Sequence, residues 1–498
     1  MREEHLPIIF GLKLRRLRVG QGYGLAELSE RSGLSLSYLN EIEKGKKYPK
    51  ADKILQLAKA LDTDYDELVS LKLGHPYGAI ETLLDSPMVQ ALPLSLFGLA
   101  PRDIVNLIAR SPREVGAFLH TLAELASSYD VHVEHFFYAM LRSYQQTHEN
   151  HFEDIESAAA GFRKQNGWKE QALRTPSLAA VLTSRFGVTI DEETLVRQPE
   201  LSGFRSVWIK GPPERLLLNR NLTSAQKAFQ IGREIGYREL GLTVRGAASS
   251  RAEAESFEQV LNDFKASYYA GALLIDQRRL VGDLKAFFRN PHWDAAGFLK
   301  MMNAYRVTPE MFLYRLTQLA AVKLGLKHYH FIRVGYDTVR DTFEITKQFN
   351  MAGLLIPAGV GLHEHYCRRS LAVSLLNDLR ERAKGRRPQA PIAAAQRALF
   401  LHTGEQYFLI TLARPLALNP EILTSVTLAF LVDGAFRRAV RFWSDPDVPQ
   451  EEVNRTCERC SLSISECSLR AAPPALHLQH ELQQSRTQAL QRLLQSES

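Results

Sequence analysis

The stretch from Leu25 to Lys47, LAELSERSGLSLSYLNEIEKGKK, constrains this chain more than any other. Leu25, Ala26 and Leu28 begin the apolar face of a first short helix. Gly33 stands where the chain must turn sharply, and glycine tolerates the left-handed backbone that such a turn needs. Ser35 follows as the N-cap of a second helix, its side-chain oxygen meeting free N–H groups of the first turn. Leu39 and Ile42, three apart, point inward, and Gly45 suits the C′ position where that helix ends. The second helix is then a polar rod held on a small apolar scaffold.

That layout is a helix-turn-helix, whose second helix enters the DNA major groove. The flanks agree. Phe10 to Val19 reads as an amphipathic helix bearing Lys13, Arg15, Arg16 and Arg18. Asp52 to Leu61 and Tyr65 to Leu68 supply two more helices, with Ile54, Leu55, Leu57, Ala58, Leu61 and Leu68 as apolar positions. Residues 12–50 hold nine Lys/Arg against four Asp/Glu, whereas residues 51–69 hold two against five. Positive charge is thus gathered around the second helix, where phosphates would lie. Over about 60 residues the pattern LKLRRLR…LAELSERSGLSLSYLNEIEKGKKYP…ILQLAKAL…YDEL resembles the XRE, or lambda-repressor-like, family. The resemblance implies that Leu36, Ser37, Asn40 and Glu41 face base edges, next to the cap Ser35. It implies phosphate contacts for Arg15, Arg16, Lys44, Lys46 and Lys47.

The 498 residues suffice for three or so domains, and 45% hydrophobic with 23% charged residues is an ordinary soluble composition. A net charge of +7 suits a nucleic-acid partner. No apolar run reaches the length of a bilayer span, and MREEHLPIIF lacks the charge and apolar core of a signal peptide, so a cytoplasmic location is expected.

The expected organisation is a mainly α chain with an α+β C-terminal half. Residues 1–72 form the DNA-binding helix bundle and 73–170 a helical linker. Helices between Pro101 and Tyr144 serve either dimerisation, matching two half-sites one DNA turn apart, or packing on the next domain. Residues 171–300 follow, with a helix at His151 to Gly167 before them. Within them lie a serine-capped helix at Ser177 to Phe186, a strand at Val188 to Ile190, and strands at Arg205 to Lys210 and Arg215 to Leu218. A helix at Ala225 to Leu240, capped by Ser224, comes next.

That last helix, AQKAFQIGREIGYREL, together with the strand pair before it and Phe264 to Asp276 after it, resembles the ImmA/IrrE metallopeptidase-like domain. Active members carry H-E-x-x-H there, two histidines on one face binding zinc and a glutamate activating water. The matching positions are Arg233, Glu234 and Tyr237. Arginine cannot shed its proton to bind zinc, and no Glu or His stands at the third ligand position of the later helix. Zinc peptidase chemistry is not expected, no catalytic residue is assigned, and Glu234 becomes a surface or pairing residue.

Residues 301–475 form the C-terminal domain. Helices at Ala296 to Tyr305 and Glu310 to Leu324, the latter opened by Thr308-Pro309, precede strands at Tyr329 to Val334, Phe343 to Phe349, Tyr407 to Ala413 and Val426 to Val432. Arg380 to Gln389 reads as a basic loop, and residues 476–498 as a terminal helix or tail. Cys457, Cys460 and Cys467 are spaced C-x2-C-x6-C, and Cys367 is the remaining cysteine. Such thiolate sets bind zinc or an iron–sulfur cluster. On a strand, His363, His365 and Cys367 would share one side.

TCERCSLSISECSLRAAPP resembles the terminal motif of the short-chain fatty acyl-CoA regulators, an XRE-type family with an ImmA/IrrE-like region and a cysteine-bearing C-terminal domain. Its gap between Cys460 and Cys467 is six residues rather than the four of that family, so the resemblance does not choose the metal. It implies a DNA-binding transcriptional regulator that binds a near-palindromic duplex operator as a homodimer, with a short-chain acyl-CoA effector and a [4Fe–4S] cluster or zinc. Arg368, Arg369, Arg386 and Arg387 are candidates for the phosphates of CoA.

Overall fold

The computed structural model describes residues 6–70, 133–168, 172–248, 254–353, 364–382 and 391–496. The chain separates into two compact units, one of residues 1–144 with 253–257 and the other of 145–252 with 258–498. The expected helices between Pro101 and residue 132 lie outside the described residues.

The first unit opens with α1 (Leu6–Gly20), α2 (Leu25–Ser32), α3 (Leu36–Glu43), α4 (Ala51–Ala60) and α5 (Tyr65–Val69). Phe10, Leu14, Leu28, Leu34, Leu39, Ile42, Ile54, Leu57, Leu61 and Leu68 close one core among them. Gly33 adopts φ 68° at the end of α2, and Gly45 adopts φ 65° after α3. Two apolar expectations fail. The buried stripe of α2 is Leu28 and Ser32, which leaves Ala26 on the outer face. In α4 the stripe is Ile54, Leu57 and Ala58, so Leu55 is 51% exposed. Lys13 is also not on the basic surface. It is fully buried, and its ammonium donates to the carbonyls of Glu67 (2.8 Å) and Ser70 (2.5 Å) and to Ser70 Oγ (2.7 Å). Those carbonyls end α5, which has no further turn to satisfy them.

The helix α6 (Val133–Thr147) runs into the second unit, followed by α7 (Glu153–Gln165), α8 (Thr175–Phe186) and a small sheet. There β1 (Thr189–Asp191) lies parallel to β3 (Arg215–Leu218), and β2 (Ser206–Ile209) pairs antiparallel on its other side. The long helix α9 (Ser224–Glu239) begins at the expected cap, one residue before the expected start at Ala225. Thr223, not Ser224, is its N-cap, because Gln226 reaches back to the Thr223 N–H and completes a capping box. Likewise α8 starts at Thr175 with Pro176 in its first turn, ahead of the expected cap Ser177.

Then come α10 (Phe257–Leu274), α11 (Gln277–Phe288), α12 (Ala295–Ala304) and α13 (Pro309–Leu324), the last capped by Thr308 as expected. Buried Arg315 on α13 meets Glu156 on α7 through two bonds of 2.5 and 2.7 Å, and Tyr268 on α10 donates to the same carboxylate. One charge pair thereby fastens three helices.

A six-stranded sheet follows, in the order β5-β4-β8-β7-β6-β9. Its strands are β4 (Tyr329–Asp337), β5 (Thr342–Asn350), β6 (Ile392–Phe400), β7 (Glu405–Pro415), β8 (Ile422–Leu431) and β9 (Gln450–Val453), with α14 (Leu371–Arg382) before β6. Helix α14 packs on one face and α12 and α13 on the other. The central strands β7 and β8 are therefore buried on both faces, which is why they read as continuous apolar runs. Arg380 and Arg382 belong to the end of α14 rather than to a loop, and residues 383–389 lie outside the described residues. After β9, α15 having preceded it at Gly434–Ala439, the chain ends in α16 (Ala475–Ser496). Among the described residues no helix is long and apolar enough to cross a membrane.

Candidate functional site

Helix α3 carries the expected recognition surface. Ser35 Oγ accepts the Tyr38 N–H, while Leu39 and Ile42 are fully buried and fix the helix on its scaffold. That leaves Ser35, Leu36 and Ser37 exposed, with Asn40 and Glu41 half-buried beside them. Leu36, half exposed, is a large apolar side chain offered to solvent at the helix start. Lys44, Lys46 and Lys47 are exposed just beyond the helix end. Lys47 reaches back to Glu41 at 2.8 Å, an exposed pair that lowers the carboxyl and raises the ammonium. Arg15 is half-buried on α1. Arg16 pairs with Glu67 at 3.0 Å, and Arg18 forms a bidentate pair with Glu43 at 2.6 and 2.9 Å, which ties α1 to the end of α3. Gly11 is where α1 crosses α3, since a side chain there would run into the Ile42 carbonyl.

In the second unit, the positions expected to correspond to H-E-x-x-H are occupied by charge pairs. Glu234 is buried and accepts two bonds from Arg245, at 2.7 and 2.9 Å, and another from Arg238. It is a pairing residue, held by two guanidiniums, and is not on the surface. Arg233 reaches Asp263 on α10 at 3.4 Å. Burial lowers the Arg233 pKa, Asp263 opposing, and burial raises the Asp263 carboxyl against the pull of Arg233. Asp263 is the acidic group of the later helix that sequence reasoning missed, because it stands one residue before the stretch compared. The Arg245 guanidinium lies between the rings of Trp208 (4.3 Å) and Tyr237 (3.9 Å).

The four cysteines come from two segments that run side by side at the sheet edge. Tyr366 bridges Thr456, the Cys457 N–H donates to the His365 carbonyl at 2.8 Å, and the Cys367 N–H points to the Arg455 carbonyl. All four thiols are buried and reduced. The segment of His365 and Cys367 is an irregular stretch with a single bridge, not the expected strand, and His363 lies outside the described residues. His365 instead turns to Glu458, which accepts both its ring N–H and its backbone N–H, at 2.8 and 2.9 Å. Burial pushes the Cys367 thiol up, while the backbone N–H groups of Asn454, Arg369 and Ser370 aim at its sulfur. The Ala471 N–H points at Cys457 Sγ at 3.4 Å, and Arg470 donates to the Cys457 and Leu462 carbonyls. Among the described residues, only His292, Asp445 and Asp447 bring three ligand atoms within 4.8 Å of one another, so no three cysteine sulfurs do. Zinc bound at about 2.3 Å from each would set tetrahedral sulfurs about 3.8 Å apart.

Of the four arginines expected to meet an effector, Arg386 and Arg387 lie outside the described residues. Arg368 stacks on Phe343 at 4.3 Å, and Arg369 donates to the Glu466 carbonyl beside the cysteine loop. A denser basic cluster surrounds Glu310 at the start of α13, with Arg333 at 3.5 Å and Lys347 at 3.8 Å, and Arg205 and Arg414 close by. Burial works against the Glu310 carboxylate, yet the four cations hold its pKa down to about 2. These residues are scattered over more than 200 positions, and only the fold gathers them.

Known proteins match in parts. The family described as Helix-turn-helix matches residues 14–68, and the IrrE N-terminal-like domain matches residues 183–317. An uncharacterized HTH-type transcriptional regulator, y4dJ, of Sinorhizobium fredii is 34% identical over 70 residues, which are 14% of this chain and 91% of that protein. A Mycobacterium tuberculosis transcriptional regulator of solved structure aligns at a TM-score of 0.45 with 17% identity, over 67% of this chain and 92% of that one. With α3 set as a capped, exposed helix on its apolar scaffold, and with the Sinorhizobium fredii regulator matched at 34% identity over 91% of its length, the chain belongs to the XRE-type helix-turn-helix transcriptional regulators.

Proposed function

We propose that this regulator binds a near-palindromic operator as a homodimer and that its second unit sets operator affinity in response to a metabolite, a short-chain acyl-CoA, and to a metal centre. The observation that carries the sensing half of this reading is that four buried thiols lie on two adjoining segments, with backbone N–H groups aimed at two of the sulfurs. Such N–H groups stabilise thiolate, the form that binds metal. The group they would hold is a [4Fe–4S] cluster or zinc, bound by Cys367, Cys457, Cys460 and Cys467. When bound, such a cluster supplies one-electron redox chemistry. The chain's own part is to orient the thiols and, through Arg470 and Glu458, to brace the loop that carries them.

The cations around Glu310 outnumber its carboxylate four to one, a charge that suits the phosphates of CoA. Effector action requires unequal binding to DNA-competent and incompetent forms. Peptidase chemistry has no support in the cleft, where Arg233 and Tyr237 replace the ligands and Glu234 is locked in pairs.

The test is purification without oxygen, followed by the visible spectrum and iron, sulfide and zinc content. Broad absorption at roughly 400 nm with iron and sulfide is expected, and lost in Cys457→Ser. Stoichiometric zinc without colour makes the site structural and removes the redox half of the reading.

A further inference from the structure

The cleft left by the degenerate zinc site has its own chemistry. It is small, open at its mouth, and lies between β2, α9, α10 and residues 245–248. Four residues on its wall each carry a buried polar atom without a partner: Trp208 Nε1, Arg233 Nε, Arg245 Nε and Tyr237 Oη. Three of these atoms are N–H groups that can only donate, and the fourth is a hydroxyl that can donate. The acceptors around them are already engaged. Both oxygens of Glu234 take Arg245, and Gln230 Oε1 takes Ser206 Oγ at 2.9 Å and Arg233 at 3.3 Å.

Buried donors left unsatisfied cost about 1–3 kcal/mol each, so four in one cavity call for a guest. A single water accepts two hydrogen bonds and must then place two protons of its own. A tetrahedral or planar oxyanion has lone pairs enough for all four donors and brings no proton to place. The charges of Arg233 and Arg245 are offset by Asp263 and Glu234 on the same wall, so what the cavity offers a guest is its donors, with the indole and phenol rings beside Arg245 shielding them from water.

We infer that the former zinc cleft is a binding site for a small oxyanion, a phosphate or carboxylate group, held by Trp208, Arg233, Tyr237 and Arg245. The loss of the metal-binding histidines then marks a change of ligand sign, from a cation to an anion, in one scaffold. This inference does not depend on the acyl-CoA reading, since it concerns a different cavity and needs no thiol.

The full chain without DNA tests it. Melting temperature and calorimetric titration would be recorded with sodium phosphate and with sodium acetate, at fixed pH and with ionic strength balanced by sodium chloride. The comparison is the Trp208→Phe, Tyr237→Phe double variant, which deletes two donors and keeps both rings. Saturable binding by the wild type, weakened about tenfold or more in the variant, is expected. Response to phosphate alone or to acetate alone names the source of the oxyanion. Equal responses in the two proteins, as phosphate at the DNA-binding helices would give, overturn the inference. No saturable response in either also overturns it. If the double variant melts without any salt-independent fold signal, Trp208→Phe alone, with its single lost donor, carries the same comparison.

Discussion

At the scale of single residues, buried charge decides more than surface charge. Arg315 is 1% exposed, and Glu156 is its only carboxylate partner in the structure as described. Glu156→Ala strands that guanidinium in the core and should cost about 3–5 kcal/mol, read by denaturant unfolding. The Glu156 pKa is lowered, with burial opposing and Arg315 prevailing, so this pair stabilises above the ordinary glutamate range and the gain is lost as pH falls through the lowered value. Glu310 follows the same sign. Its stabilisation is complete above its ordinary value of 4.5 and disappears as pH falls toward about 2. Glu310→Gln should therefore flatten the acid limb of the stability curve in that window and leave four cations to repel one another at neutral pH. Glu234→Ala is expected to change stability and not peptidase turnover, which should be absent from both proteins.

Among the elements, the crossing of α1 and α3 is the most sensitive contact. Gly11→Ala pushes a methyl group into the Ile42 carbonyl, and backbone cannot swing aside as a side chain does. A loss of about 1–3 kcal/mol and weaker DNA binding are expected, since α3 must shift. Gly20→Ala, at the end of α1 with open space around it, should be neutral or stabilising by up to about 1 kcal/mol, which separates packing from propensity. Thermal melts of the two variants would show the contrast. Much at this scale was legible in the sequence. Gly33, Ser35, Gly45 and the Thr308-Pro309 start are local signals with local causes, and they stand where the sequence puts them. Strand β6 was not legible, because IAAAQRALF is alanine-rich and lacks the β-branched residues that mark β4 and β8. Nor was Lys13, whose role as a cap on α5 depends on a contact more than 50 residues away.

For the whole molecule, the two candidate sensor sites are both products of the fold. The C-x2-C spacing announced Cys457 and Cys460, yet only the bridge between Tyr366 and Thr456 brings Cys367 beside them. The cations near Glu310 and the donors around Arg245 likewise come from separate segments that no linear motif joins. The DNA-binding surface is different, since apart from Arg15 and Arg16 on α1 its residues lie within 13 positions and share one helix and its exit. If Lys44 and Lys46 meet phosphates as the resemblance implies, Lys44→Ala and Lys46→Ala should each lower the salt slope of DNA binding by about 1 while sparing sequence preference. The most direct measurement is selection of bound duplexes from a random pool by the full chain, followed by titration of the enriched sequence with wild type and Asn40→Ala. A near-palindromic site with half-sites about one helical turn apart is expected, with Asn40→Ala relaxing preference at one position of each half-site. No enriched sequence, or an identical preference in the variant, would contradict the placement of α3 in the major groove.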